Sequence, residues 1–375
     1  MTATHKDPIL VVVQLTGAND YMNTIVPYNN PIYYDNRPTV AIPADQVLPI
    51  DDDFGFNPVM EPLKSIYDQG NMAIINGIGY PDPNRSHFRS MDIWHTAEPV
   101  KIATEGWLGK VVRDLDPKSE NVLTAVNFGR GLPRALALPG VPVASVGALE
   151  GYGVMAGIAG QQRRADALEV FARMYSPAIG TGPTMDYLGQ TGLDALKGAD
   201  ILRTAPESYH STVEYAETPI SQNLKGIAQV LLADFGTRIF YTQQSGYDTH
   251  SNQVPVQPKL LEDLSTGIAD FYADIQEHDA SDNVVLFVFT EFGRRVLDNG
   301  SGTDHGSGGM AMAFGDRVKG GMHSEYPSLK SEDLLEGDLH FNIDFRGIYG
   351  TLIEQWLGLD PVPVVGGNYE QLNFI

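Results

Sequence analysis

The chain has 375 residues, of which 42% are hydrophobic and 9% aromatic, so it can bury a large core and is too apolar to be disordered. Its 47 acidic and 25 basic residues give a formal charge of -22, which opposes binding to nucleic acid or to an anionic membrane surface. Cysteine is absent, which excludes disulfides, thiolate metal sites and cysteine nucleophiles. Any metal ligands must therefore be Asp, Glu, His, Ser or Thr.

Short runs rich in Val, Ile, Leu and Phe predict strands of a mostly parallel sheet that is covered on both faces. In chain order these strands are Ile9–Leu15, Met72–Ile75, Val122–Val126, Val141–Val146, Thr237–Thr242 and Val284–Thr290. Apolar residues at helical spacing predict helices that start near Asn57-Pro58 and Ser86, and others over about Arg163–Tyr175, Ser221–Phe235 and Pro258–Glu277. This alternation predicts an α/β fold, a three-layer sandwich built by right-handed crossovers.

A single domain over residues 1–375 is expected. The pattern weakens into Gly, Thr, Pro and Ser before Pro219, so that about 150–220 is either a cap or an irregular insertion. Met1–Asp7 contains neither a twin arginine nor a small-residue cleavage site, and Ile9–Leu15 is too short to span a bilayer. No membrane span is predicted.

Polar clusters follow three of the predicted strands. Asp20 comes after the first strand, Asp248 and His250 come after Thr242, and Glu291 directly follows Thr290. A Gly-flanked pair, Asp304-His305, comes a short loop later. Because parallel strands deliver such residues to one edge of the sheet, they suit a cation site. A turn that caps a helix is the alternative for the Asp20 cluster, and an exposed turn is the alternative for Asp248 and His250.

A further cluster, Arg85-Ser86-His87, stands at the start of a predicted helix. Ser86 is either the N-cap of that helix or a nucleophile, and the two roles are compatible. No histidine-aspartate relay is evident at this spacing, so metal coordination is the expected activator of the hydroxyl. His87 is interpreted as a group that supports the site from behind the ligands.

Motifs in this order over nearly the whole chain resemble the alkaline phosphatase superfamily, and within it the uncharacterised sulfatase-like family catalogued as domain of unknown function 1501. They are Ala18-Asn19-Asp20, Asn23-Thr24-Ile25-Val26-Pro27-Tyr28, Arg37-Pro38-Thr39 with Ala41-Ile42-Pro43, Arg85-Ser86-His87-Phe88, Gly106-Trp107-Leu108-Gly109, Tyr247-Asp248-Thr249-His250, Thr290-Glu291-Phe292-Gly293-Arg294-Arg295, Thr303-Asp304-His305-Gly306, and Asp344-Phe345-Arg346 ahead of Leu352–Gly358.

The resemblance implies an alkaline phosphatase-like fold with one or two metal ions at the carboxyl edge of the sheet, and Ser86 as nucleophile. The ligands that it implies are Asp20, Asp248, His250, Glu291, Asp304 and His305. Zinc or manganese is the expected metal, with calcium an alternative. One residue separates Asp248 from His250, where the superfamily commonly has three, and the Cys/Ser-x-Pro-x-Arg maturation pattern of sulfatases is absent at Ser86.

The expected function is metal-dependent hydrolysis of a phosphate or sulfate ester, with Ser86 or a metal-bound water as nucleophile and His87, Arg85 or Arg294 assisting. The substrate would be a small anionic ester or a sulfated or phosphorylated saccharide. The alternative is a non-catalytic carbohydrate- or surface-binding protein with a degraded metal site, in which Tyr33-Tyr34, Trp94 and Trp107 line a sugar platform. Members of this family usually carry a twin-arginine leader, so the protein is periplasmic or secreted if a leader was removed, and otherwise cytoplasmic.

Overall fold

The computed structural model describes residues 6–149 and 197–375, together with Arg163, Asp166, Ala167, Glu169, Val170 and Arg173 between them. Apart from those six residues, the predicted helix over about Arg163–Tyr175 and most of the proposed cap lie outside the described residues. Within the described part, no helix is both long and apolar enough to cross a membrane.

A nine-stranded sheet forms the centre of the fold, in the order β13-β5-β12-β9-β1-β8-β6-β7 with β14 paired to β5. Two small sheets, β2-β4-β3 and β10-β11, lie outside it. The strands are β1 (Ile9–Thr16), β2 (Ile25–Val26), β3 (Leu48–Pro49), β4 (Gly55–Phe56), β5 (Met72–Gly79), β6 (Ala125–Phe128), β7 (Ala144–Val146), β8 (Ile239–Ser245), β9 (Val284–Thr290), β10 (Arg294–Asp298), β11 (Thr303–His305), β12 (Gly309–Phe314), β13 (Gly321–His323) and β14 (Ile343–Asp344).

The direction of the strands determines which loops share an edge. β1 pairs in parallel with β8 and β9, and Thr16 lies opposite Ser245 while Leu15 lies opposite Thr290. β12 is antiparallel to both β5 and β9. Its amino end, Gly309, therefore lies at the edge where the neighbouring strands end, and the residues before it are brought to that edge. β12 is not among the strands predicted from the sequence.

Helices cover both faces of the sheet. They are α1 (Pro31–Asn36), α2 (Glu61–Asp68), α3 (His87–Thr96), α4 (Trp107–Leu115), α5 (Ala205–Ser208), α6 (Pro219–Leu232), α7 (Gln253–Glu277), α8 (Phe345–Thr351) and α9 (Val362–Val365), with a π-helix at Leu352–Trp356 after α8. The predicted α/β class and mostly parallel sheet are confirmed.

Alternating residues of β1 point into two separate cores, as the pleat of a strand requires. Val11 and Val13 pack in the core that holds Leu224 of α6, whereas Leu10 and Val12 pack in the core that holds Trp94 of α3. Each such fully buried side chain contributes about 1.5–3 kcal/mol relative to an exposed one. The sheet is therefore fixed from both sides, which gives the loops at its edge a rigid support.

The helix predicted from Pro258 begins five residues earlier, at Gln253, and contains Pro258. This extra turn matters for the site because it brings Gln253 and Gln257 to the loop after β1, where both contact Asp20. At the start of α3, Ser86 occupies the N-cap position as predicted, but its side chain makes no capping hydrogen bond.

Candidate metal centre

Three loops approach one another at the carboxyl edge of the sheet. Gly17, directly after β1, has φ +115°, and a Cβ atom there would lie 2.5 Å from the backbone nitrogen of Asp248. Only a glycine allows the loops after β1 and β8 to come this close. The main-chain N–H of Gly17 also donates to Glu291, which follows β9. The positions of the strand ends therefore decide which side chains meet.

Asp248 and three histidines converge at this edge. The Oδ1 atom of Asp248 lies 3.3 Å from Nε2 of His87, 3.1 Å from Nε2 of His250 and 3.2 Å from Nε2 of His305. The Nε2 atoms of His250 and His305 are 2.8 Å apart. His87, Asp248 and His305 each offer a ligand atom within 4.8 Å of the other two. These four residues are called the histidine cluster below.

Each imidazole of the histidine cluster is held through its other ring nitrogen. The Nδ1 contacts are His87 to Glu291 Oε1 at 2.8 Å, His250 to Asp304 Oδ1 at 2.8 Å, and His305 to the carbonyl oxygen of Arg85 at 2.7 Å. Carboxylate and carbonyl oxygens only accept, so Nδ1 must carry the proton in each ring. In the neutral ring that a metal requires, Nε2 then presents a lone pair toward Asp248, which is how histidine ligands of metals are commonly oriented.

The histidine cluster fits a small divalent cation. The Nε2 atom of His87 is buried and has no hydrogen-bond partner among the described residues, an arrangement that a cation would satisfy. Four ligands at zinc-like bond lengths around a tetrahedral centre would be spaced by about 3.3 Å. The separations from Asp248 Oδ1 to Nε2 of His87 and His305 match this spacing. His250 lies on the other side of His305, with its Nε2 atom 2.8 Å from Nε2 of His305 and 3.1 Å from Asp248 Oδ1, and the ligand atoms that all lie within 4.8 Å of one another belong to His87, Asp248 and His305. Neutral imidazole nitrogens with one carboxylate oxygen suit zinc or manganese.

Arg294 fixes the carboxylate of the histidine cluster. Its guanidinium is fully buried and donates to Asp248 Oδ1 at 2.7 Å. Its remaining contacts are backbone carbonyls, those of Gly17, Ala18, Tyr247 and Thr303. Burial alone would raise the pKa of Asp248, but the hydrogen bond and charge of Arg294 lower that pKa to about 2. Arg294 thus keeps the carboxylate ionised, and because its guanidinium is fully buried it does not contact a substrate.

Three titratable groups around the site, His87, His305 and Asp304, have shifted pKa values, each with a different cause. The hydrogen bond to Glu291 raises the pKa of His87, whereas burial lowers the pKa of His305. The hydrogen bond from His250 lowers the pKa of Asp304. The carboxylates of Asp248 and Asp304 are therefore ionised at neutral pH, as a candidate ligand and a group that supports one must be.

Glu291 and Asp304, expected to be ligands, lie behind histidines of the cluster. The side chain of Glu291 is fully buried, and its Oε1 atom accepts from both Gly17 N and His87 Nδ1. Asp304 contacts the far side of the His250 ring and is half exposed. Their role in this arrangement is to orient imidazoles, and the longer arm of Glu291 reaches the His87 ring from the end of β9.

The structure does not bring Asp20 into the histidine cluster. Its carboxylate is fully buried and forms an ion pair with Arg37, whose NH1 atom lies 2.5 Å from Oδ2. Gln253 donates to the same oxygen. Because Arg37 also donates to the backbone carbonyls of Arg295 and Val296, this ion pair ties the loop after β1 to β10. Asp20 lies in the segment that follows β1, but its carboxylate is paired with the protein's own cation, Arg37.

Ser86 is exposed. Its two neighbours in the chain, Arg85 and His87, both contact the histidine cluster or belong to it. Arg85 supplies the carbonyl that accepts from His305, and His87 is itself a member of the cluster. The guanidinium of Arg85 is paired with Asp338 at 2.7 Å. The part that Ser86 plays as nucleophile stays a prediction.

Sequence reasoning did not place His87 among the candidate metal ligands, whereas the structure brings its Nε2 atom to 3.3 Å from Asp248 Oδ1. The available signal was its position, since it is the first residue of α3 and follows an N-cap at the functional edge. The aromatic residues considered for a sugar platform are mostly core residues: Tyr33, Trp94 and Trp107 are all buried. Trp94 stacks on Phe345 and cannot line a surface.

A family model described as "Protein of unknown function (DUF1501)" matches residues 79–360. Among curated proteins, none matches the chain in sequence. Solved structures with a similar arrangement include the PsFucS1 sulfatase from Pseudoalteromonas sp., at 12% identity and a TM-score of 0.44, covering 98% of this chain and 71% of the other. A protein in the alkaline phosphatase superfamily from Vibrio parahaemolyticus has 9% identity and a TM-score of 0.40, covering 97% and 69%.

The C-terminal periplasmic domain of EcEptC from Escherichia coli, in complex with Zn, is also similar, at 10% identity and a TM-score of 0.35, covering 84% of this chain and 74% of the other. Identities and scores this low carry no information about the reaction or its substrate. The family match covers most of the chain and includes every member of the histidine cluster. The chain therefore belongs to the family described as DUF1501.

Proposed function

We propose that the protein is a divalent-metal-dependent hydrolase of phosphate or sulfate esters. The observation that carries the proposal is the convergence of three Nε2 lone pairs on Asp248 Oδ1, with each Nδ1 fixed by an oxygen acceptor. Without a cation, such an arrangement leaves a buried nitrogen unsatisfied and sets lone pairs against one another. The residues that would hold zinc or manganese are His87, Asp248, His250 and His305.

A divalent ion bound there would supply Lewis-acid stabilisation of an ester's nonbridging oxygens and would lower the pKa of a nearby nucleophile. The chain's own residues hold that site in place. Arg294 keeps Asp248 ionised and oriented, while Glu291 and Asp304 keep the protons of His87 and His250 on Nδ1. This preorganisation of the side chains reduces the rearrangement that they must undergo when a ligand binds.

Ser86 is the nucleophile in this proposal. Its exposure and its N-cap position at a ten-residue helix support this role, because an anionic ester is favoured at the positive end of the helix dipole. Its hydroxyl makes no capping hydrogen bond and is free to react. The non-catalytic alternative loses its main support, since Trp94 and Trp107 are buried in the core.

The test combines elemental analysis with a panel of aryl phosphate, phosphodiester and aryl sulfate substrates, assayed with added zinc or manganese. We expect stoichiometric metal in the wild type, loss of metal and turnover in His305→Ala, and neither loss in His340→Ala, an exposed histidine outside the cluster. A wild-type protein that binds no metal would refute the proposal. So would the absence of hydrolysis across the panel.

Ser86→Ala separates the two candidate nucleophiles. If Ser86 attacks, the variant should keep its metal and lose turnover by far more than tenfold. If turnover survives within about tenfold, a water molecule attacks in place of the serine. Metal content measured in the same sample shows that any loss of activity arises from the missing hydroxyl and not from a damaged site.

A further inference from the structure

The net negative charge of the protein opposes the approach of an anionic substrate to the histidine cluster. At a formal charge of -22, the chain repels anions, so an anionic substrate needs positive charge close to the site. Arg37 and Arg294 are fully buried and are engaged by carboxylates and carbonyls, so neither can contact a substrate. Two other arginines near the cluster are partly exposed: Arg85, in the segment before α3, and Arg295, on β10.

Both of these arginines contact one buried carboxylate. Asp338 is fully buried, and its Oδ2 atom receives Nε and NH2 of Arg85, each at 2.7 Å. Its Oδ1 atom has no hydrogen-bond partner among the described residues and lies 3.6 Å from Nε of Arg295. The side chains of Arg85 and Arg295 remain 35% and 39% exposed, respectively. The Nε–NH2 edge of Arg85 thus faces Asp338, with NH2 also 3.4 Å from the exposed Glu336, and Nε of Arg295 faces the same carboxylate. Both side chains keep part of their surface in solvent.

The two arginines are tied to the histidine cluster through the main chain. The carbonyl oxygen of Arg85 accepts from His305. Arg295 directly follows Arg294, which lies opposite His305 where β10 pairs with β11. The segment that carries Asp338 is fastened to the loop after His305, because Ser307 Oγ donates to the carbonyl oxygen of Leu339. The segments that carry Arg85, Arg295 and Asp338 are therefore all joined to the segment that supplies Asp304 and His305.

We propose that Arg85 and Arg295, oriented by Asp338, bind a tetrahedral oxyanion of the phosphate or sulfate class beside the histidine cluster. Planar guanidinium groups held in a fixed orientation match the paired oxygens of such anions. If these ion pairs served only to stabilise the fold, one arginine would be enough to neutralise Asp338, and it could be buried. Two arginines face this carboxylate, and both are partly exposed. This inference rests on the proposed function and names the group that its substrate must carry.

Binding of inorganic sulfate to protein stripped of metal by EDTA tests the inference without requiring catalysis. We expect calorimetry at low ionic strength to detect sulfate binding by the wild type. Arg295→Gln should weaken it about tenfold or more, since one charge-assisted hydrogen bond is lost. Arg295→Lys, which keeps the charge but not the planar group, should fall between the two. The matched control is Arg113→Gln, which removes an arginine of similar exposure that pairs with Asp114 on α4.

Equal sulfate affinity in Arg295→Gln and Arg113→Gln would overturn the inference, as would the absence of sulfate binding by the wild type. The proposed function fails on different evidence, namely no metal or no hydrolysis. With metal restored and an active substrate, Arg295→Gln should raise KM about tenfold and leave kcat nearly unchanged, which is the pattern expected for lost substrate binding. An unchanged KM would also overturn the inference.

Discussion

Replacing Glu291 by glutamine tests whether buried groups behind the histidines determine metal affinity. The carboxylate accepts from His87 at 2.8 Å inside a fully buried pocket. Glutamine retains an acceptor for the N–H groups of His87 and Gly17, and its amide can face the hydroxyl of Thr290. The fold should therefore persist while the negative charge is lost.

The expected loss is about tenfold to hundredfold in zinc affinity, the range for groups that orient metal-binding histidines. This corresponds to about 1.4–2.7 kcal/mol. Asp304→Asn is the matched comparison, because Asp304 holds His250 at the same distance of 2.8 Å but its side chain is 53% exposed. Solvent screening limits such a contact to about 1 kcal/mol or less, or about fivefold.

Competition with a chromophoric zinc chelator measures both variants on the same scale. The loss in Asp304→Asn should shrink as salt is added, while the loss in Glu291→Gln should persist, because buried charges are screened less. The reasoning is refuted if the two variants lose equal affinity, or if Asp304→Asn loses more. Either result would mean that burial does not set the strength of these contacts.

Three further predictions concern the support of the site. Arg294→Lys cannot reach Asp248 and all the carbonyls that Arg294 binds, so urea unfolding should show a loss of about 3 kcal/mol or more. Gly17→Ala should lower both Tm and zinc affinity, because its Cβ would collide with Asp248. Burial lowers the pKa of His95 to about 4. In the unfolded chain the imidazole is protonated below about pH 6.5, whereas in the native state it stays neutral until about pH 4. The free energy of unfolding should therefore fall by up to about 3 kcal/mol as the pH drops from about 6.5 toward 4. Urea titrations from pH 7 to 4 should show a shallower decline in His95→Gln and a wild-type decline in the exposed control His340→Gln.

Local sequence determined the central elements. The continuous apolar runs Ile9–Leu15 and Val284–Thr290 are strands β1 and β9 with almost the predicted bounds, because only a strand covered on both faces requires so many consecutive apolar residues. Strand ends then placed Asp248 and Glu291 at one edge. The sequence therefore predicted which segments would supply the site.

Sequence could not determine which atoms meet there. Asp20 and Asp248 both follow strands that share the same edge, yet Arg37 neutralises one, and the other faces three imidazoles. That difference depends on contacts between residues far apart in the chain. His305 likewise reaches the edge because β12 runs against its neighbours, and strand direction is a property of pairing that no single segment contains. The choice of candidate metal ligands thus required the tertiary structure, since a side chain can bind a metal only where no other protein group occupies its lone pairs.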